Sequence, residues 1–213
     1  MKYYSVLKYS EAEHVIEKSR FITYTMPVST EEDAIAFISK IKKQNYNATH
    51  NVSAYVIGEK SDIKRYSDDG EPSGTAGMPA LDTILKKGIT NICVVITRYF
   101  GGIKLGTGGL VKAYTESTKL GIEASELIEF RELMKYKIIS SYDLFSKVQY
   151  KLQNSPVHIG NIDYMENVSL DIYFEEEYIG ILKELIDLTA SNITIEELPK
   201  EYVVFLNDKI LNL

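Results

Sequence analysis

Nine of the 13 glycines in this 213-residue chain fall in the 40 positions from Gly70 to Gly109. Glycine is costly to fix in one conformation, so it concentrates where the backbone must take positive φ or where another backbone or a ligand approaches closely. A window this rich in glycine cannot be one long helix and must break into short elements joined by tight loops. A ligand at such loops would meet backbone N–H groups rather than bulky side chains. The chemistry of the chain is therefore sought there first.

The remaining composition sets the frame. The length suits one large or two small domains, and 45% apolar with 25% charged residues is ordinary for a folded protein and excludes disorder. A single Cys rules out a disulfide framework and a Cys-rich zinc site. The opening residues carry charge every few positions and no stretch approaches 18 unbroken apolar residues, so neither a leader nor a membrane span is expected. The chain reads as soluble and cytoplasmic, with no membrane partner. Charge is unevenly placed: residues 1–130 carry 16 basic and 16 acidic side chains, and residues 131–213 carry 8 and 14, so the net −6 belongs to the last part.

The segments Tyr3 to Tyr9 and Val15 to Val28 read as two strands. Ser29 stands three residues before Glu32 as a capping box for a helix over about 30–44, with Ala34, Phe37, Ile38 and Ile41 on its inner face. His50 to Ile57 and Ile63 to Tyr66 read as strands, and a helix carrying Leu81, Ile84 and Leu85 ends at Gly88, with Thr75 as a candidate cap. Ile89 to Thr97 is nearly all apolar and should be a central strand covered on both faces. A helix follows, whose face Leu110, Ala113, Tyr114, Ser117, Gly121 and Ala124 is small enough to pack closely on a sheet. From residue 131 the order becomes β-α-β-β-α-β, with a last helix from Glu175 to about Ser191 on which Tyr178, Leu182 and Leu185 have core spacing. Two domains, 1–130 and 131–213, joined near Glu129 to Glu132, are expected.

The segment Arg98, Tyr99, Phe100, Gly101, Gly102, Lys104, Gly106, Thr107, Gly108, Gly109 joins a strand to a helix N-terminus, where open N–H groups and the helix dipole favour anions. Arg98, Lys104 and Lys112 have no acid among them, and Tyr99 and Phe100 offer stacking surfaces. The spacing matches neither a dinucleotide fingerprint nor a P-loop, so nucleotide hydrolysis is not indicated. The plainer alternative is that these glycines only permit a tight crossover. The loop Asp68, Asp69, Gly70, Glu71, Ser73, Gly74, Thr75 admits three readings: a metal site, turn formers and helix caps, or acids that pair with Arg98 and Lys104. His50 could serve as a general base, yet no nucleophile stands near it in a recognised context, and Cys93 sits inside the apolar strand. No catalytic residue, metal or cofactor is assigned.

Four ordered motifs resemble the YigZ/IMPACT family: Ser19-Arg20-Phe21-Ile22; Ala48-Thr49-His50-Asn51 with Ser53-Ala54-Tyr55; Asp68 to Thr75 with Ala76-Gly77-x-Pro79; and Arg98 to Leu110 with Ala113-Tyr114. The departures are Val52 where Cys is frequent, Met78 before Pro79, and Lys112 at a position often Arg. The resemblance implies an α+β protein of two domains, the first of the ribosomal protein S5 domain 2-like class and the second ferredoxin-like, the pair similar to two C-terminal domains of elongation factor G. It also implies a connection with translation. The leading expectation is a non-enzymatic protein that binds RNA or the ribosome through the Arg98 to Gly109 cradle, with the basic edge Lys40, Lys42 and Lys43 as a further contact. One alternative is a regulator that docks a protein partner through the acidic C-terminal part. The other is a metal-assisted hydrolase on Asp68, Asp69, Glu71 and His50.

Overall fold

The computed structural model describes residues 2–212, which divide into two compact units, 3–129 and 130–212 with Lys2. The first unit begins with strands β1 (Lys2–Val6), β2 (Ser10–Ile16) and β3 (Ser19–Pro27), followed by helix α1 (Glu31–Gln44). Next come β4 (His50–Ile57), β5 (Ile63–Ser67), α2 (Gly77–Lys86), β6 (Ile92–Tyr99) and α3 (Gly106–Ala124). One sheet runs in the order β2-β3-β6-β4-β5, with every neighbouring pair antiparallel.

The apolar run in β6 is central, as its sequence implies, and both its faces are covered. Val94 and Ile96 pack with Leu81, Ile84, Leu110 and Tyr114 beneath α2 and α3. Cys93 and Val95 face the other way, onto Phe37 and Ile41 of α1. The small face of α3 does its expected work: Gly121 lies against the side chains of Thr23 and Thr25, and the Thr23 hydroxyl donates to the Ser117 carbonyl at 3.0 Å. Ala124, placed on that face by spacing, is exposed because the helix ends there.

Several boundaries differ from the sequence reading. The first two strands are three, because Glu17 and Lys18 form a hairpin turn with φ of 46° and 64°. That primed geometry normally calls for Asn-Gly, so Glu-Lys gave no signal. Thr30 rather than Ser29 caps α1, its hydroxyl accepting from the Asp33 N–H at 3.1 Å. Thr75 does not cap α2; its hydroxyl donates to the Pro72 carbonyl at 2.7 Å.

The second unit contains β7 (Leu127–Ser140), α4 (Tyr142–Gln153), β8 (His158–Tyr164), β9 (Val168–Phe174), a short 3-10 turn (Glu176–Tyr178), α5 (Gly180–Leu188), β10 (Ile193–Leu206) and β11 (Lys209–Asn212). The strands run β11-β10-β7-β9-β8, which is the ferredoxin-like order with a short hairpin strand added at one edge. Residues 129–132 are strand, not linker, since β7 begins at Leu127. The helix expected from Glu175 is split: the three glutamates form the 3-10 turn and its approach, Tyr178 is exposed, and Ile181 with Leu185 supplies the buried face of α5. The chain is thus a two-domain α+β protein, and its first unit fits the S5 domain 2-like class.

Candidate functional site

One row of residues across three strands organises the site. Arg98 of β6 stands opposite Phe21 of β3 on one side and His50 of β4 on the other. Strand side chains alternate with period two, so Arg98 shares the face of Val94 and Ile96 and points under α2 and α3. It is 5% exposed. Its Nη1 donates to Glu71 Oε1 at 2.6 Å, its Nη2 reaches Ser19 Oγ at 3.4 Å, and the guanidinium lies 5.5 Å from the ring centroids of both Phe21 and Phe100.

Glu71, also buried, is the hub. The same Oε1 accepts from the Tyr114 hydroxyl of α3 at 2.8 Å, and Oε2 lies 3.7 Å from His50 Nε2. His50 Nδ1 stands 2.8 Å from the Asp69 carbonyl oxygen; a carbonyl can only accept, so Nδ1 carries a proton and Nε2 faces the carboxylate. Burial, followed by the Glu71 charge, pushes the Tyr114 phenol well above its ordinary range, which keeps it a donor.

The other two acids of the loop are held by different donors. Asp68 caps α2 by accepting from the N–H groups of Gly74, Ala76 and Gly77 at 2.9, 3.1 and 2.8 Å. Asp69 takes the Lys42 ammonium on Oδ1 and the Asn51 N–H on Oδ2, each at 2.6 Å. In this structure the acids of the loop cap α2 and tie neighbouring elements, with Glu71 paired to Arg98. Lys104, the other proposed tie, is exposed and has no ion pair among the described residues. No group of three or more His, Cys, Asp and Glu side chains in these residues is placed to hold a metal. Ser73 is exposed on the same loop, and Cys93 is buried with its thiol pushed up by desolvation.

The glycine segment has two parts. At its start the chain must pass close to the β2–β3 turn: a Cβ on Gly101 would overlap the Lys18 carbonyl, and the Gly101 N–H donates to Ser19 Oγ at 3.2 Å. Gly102 and Gly106 have φ of +85° and +67°, so both are required by the turn. From Gly102 to Gly108 every residue except Leu105 is exposed, and α3 starts with neither a side-chain cap nor an acid in its first turn. Phe100, 46% exposed, stands at the entrance. Tyr99 turns to the opposite face, donating to Asn45 Oδ1 at 2.9 Å. A groove of about 770 Å³ runs beside this turn, lined in part by Lys104, Leu105, Val111 and Lys112.

Of the residues picked out in the sequence, the structure thus gathers the buried Arg98 and Glu71 and the half-buried His50 into one network and leaves Phe100, Lys104, Thr107 and Gly108 at the surface. Sequence reasoning missed Ser19, Lys42 and Tyr114 as partners in that scaffold. The facing of Arg98 had no local sequence signal, because the apolar run of β6 is covered on both faces.

Comparison with known proteins agrees with this layout. A family model described as the Impact N-terminal domain matches residues 17–122, and one described as a domain of unknown function, DUF1949, matches residues 138–192. The IMPACT family member YvyE of Bacillus subtilis is 46% identical over 197 residues, covering 92% of this chain and 90% of its own. The IMPACT family member YigZ of Escherichia coli is 36% identical over 159 residues, covering 74% of this chain and 78% of its own. A crystal structure of a hypothetical protein superposes with a TM-score of 0.58 at 30% identity, covering 94% of this chain and 98% of that one. Similarity of this extent, on both units, makes the chain a member of the IMPACT family.

Proposed function

We propose that this chain is a non-enzymatic, cytoplasmic, translation-associated protein that binds RNA, free or within the ribosome, through the segment from Phe100 to Gly109. The observation that carries this reading is the first turn of α3, exposed, without a side-chain cap and without an acid, with the Lys104 cation beside it. Open N–H groups and the positive end of the dipole suit a phosphate, and the exposed Phe100 ring suits a base. Arg98 supports the loop from beneath rather than touching the ligand. The commitment of Asp68, Asp69 and Glu71 to protein donors favours a scaffold role for the acidic loop over a hydrolytic one.

Co-sedimentation with ribosomes and with single-stranded RNA tests the reading. Binding should weaken as salt rises, and Lys104→Ala should lower affinity and flatten the salt slope by about 0.7–0.9, the loss of one phosphate contact. Binding that is absent or insensitive to salt would end the proposal.

A second reading, a protein partner docked by the acidic second unit, has its own support. Tyr142, Tyr164 and Met165 are 52%, 59% and 79% exposed, and they join through the Tyr142 hydroxyl on the Met165 carbonyl at 2.8 Å. Exposed Tyr and Met side chains of this kind are common anchors at protein interfaces.

A further inference from the structure

The outer side of α3 carries a feature that RNA binding at the glycine turn does not use. Val111, Thr115 and Lys119, spaced four apart on one helix face, line two grooves at once. The first, of about 770 Å³, is floored by Ile16, Ile103 and Leu105. The second, of about 470 Å³, lies toward α2 and is floored by Met78 and Pro79. Val111, Met78 and Ile103 remain 38%, 38% and 39% exposed. Large aliphatic side chains left open in adjoining grooves mark a contact surface rather than an idle face.

The rim has a sign. Lys86, Lys87, Lys104, Lys112 and Lys119 line the two grooves, against the acids Glu17, Asp82 and Glu116. Of these, Glu116 lies 3.7 Å from Lys119 and offsets part of its charge. The lining contains no aromatic ring, so it offers no platform for stacking a base. An aliphatic floor instead takes Leu-like anchors, and the lysine rim takes carboxylates on either side of them.

We infer that the α2–α3 face docks an acidic amphipathic segment of a partner protein, with aliphatic anchors in the two grooves and carboxylates on the lysine rim. The first groove borders the proposed RNA contact and shares Ile103, Lys104, Leu105 and Gly109 with that segment, whereas the second groove shares none of it.

The test uses the full chain and a fluorescent synthetic peptide of about four helical turns with Leu on one face and Glu elsewhere. Peptides with Lys in place of Glu, and with Ser in place of Leu, are the controls, and oligouridine is the RNA probe. The Glu/Leu peptide should bind, the Lys/Leu peptide should not, and the Glu/Ser peptide should bind at least about tenfold more weakly. Val111→Asp, and separately the pair Lys86→Glu with Lys119→Glu, should each weaken the Glu/Leu peptide about tenfold while oligouridine binding stays as in the parent. These positions are exposed, and circular dichroism melts verify that the variants remain folded. No binding of the Glu/Leu peptide, or binding that both variants leave intact, overturns the inference. If Val111→Asp weakens oligouridine while no peptide binds, the grooves are an RNA track, which removes this inference and leaves the RNA reading standing.

Discussion

At the scale of single residues, Arg98 and Glu71 form a buried ion pair whose members cannot be removed singly without leaving the other charge stranded. Arg98→Met keeps the length of the side chain but leaves the Glu71 carboxylate with only Tyr114 and His50 nearby. A loss of about 3–5 kcal/mol in urea unfolding is expected, and the paired change with Glu71→Leu should restore part of it. A loss below about 1 kcal/mol for Arg98→Met alone would show that the pair does not hold the loop. Gly108 poses the opposite case. Nothing lies within 4 Å of where its Cβ would be, and it has no positive φ. The fold does not need a glycine there, and glycine inside a helix is about 1 kcal/mol worse than alanine. Gly108→Ala should therefore raise the melting temperature, and under the RNA reading it should weaken co-sedimentation by crowding the approach to the first turn. Unchanged RNA binding in a stabilised Gly108→Ala variant would count against contact at this position.

Among elements, α2 depends on a residue from outside it. Asp68 accepts from the N–H groups of Ala76 and Gly77 at the start of that helix and of Gly74 in the loop before it, so Asp68→Ala should cost about 0.5–2 kcal/mol by thermal or urea unfolding, whereas Ser73→Ala should be nearly silent. The elements most legible in the sequence were those with a strong pattern: α1 through Ala34, Phe37 and Ile41, and β6 through its apolar run. What escaped was set by backbone geometry or distant contacts. The Glu17-Lys18 turn adopts positive φ without glycine, and the helix expected from Glu175 breaks before Gly180. The candidate site was half legible. Its loops could be located from glycine and motif content, but whether Arg98 faced solvent or core depended on its strand partners, Phe21 and His50, which lie far away in the chain.

For the molecule as a whole, the two units carry separate responses to pH. His14 in the first and His158 in the second are both pushed below the ordinary histidine range, chiefly by burial; the nearby Arg131 adds to the effect at His158, while Glu116 and Glu175 oppose it. Each is kept neutral in the fold, so the unfolded chain takes up the proton first once the pH drops below about 6.5. Their contribution to stability is complete above that pH and is lost as the pH falls through it. Melts at about pH 7.5 and about pH 5.5 should show lower stability in acid, and His14→Gln and His158→Gln should each reduce the difference. An equal difference in both variants would assign the acid response elsewhere. At the alkaline end, burial and the hydrogen bond to Glu31 push the Tyr55 phenol up to about 12, so its contribution to stability is retained up to about pH 10 and is lost from there to about pH 12.

The position of β6 also determines where the first unit can be watched as it opens. This strand is paired along both edges over most of its length, and Val94, Val95 and Ile96 are fully buried. Their amide hydrogens have no local route to solvent and should exchange with deuterium only when the whole first unit unfolds. Exchange at these three amides would thus report the free energy of that unit within the intact chain, without cutting it from its neighbour.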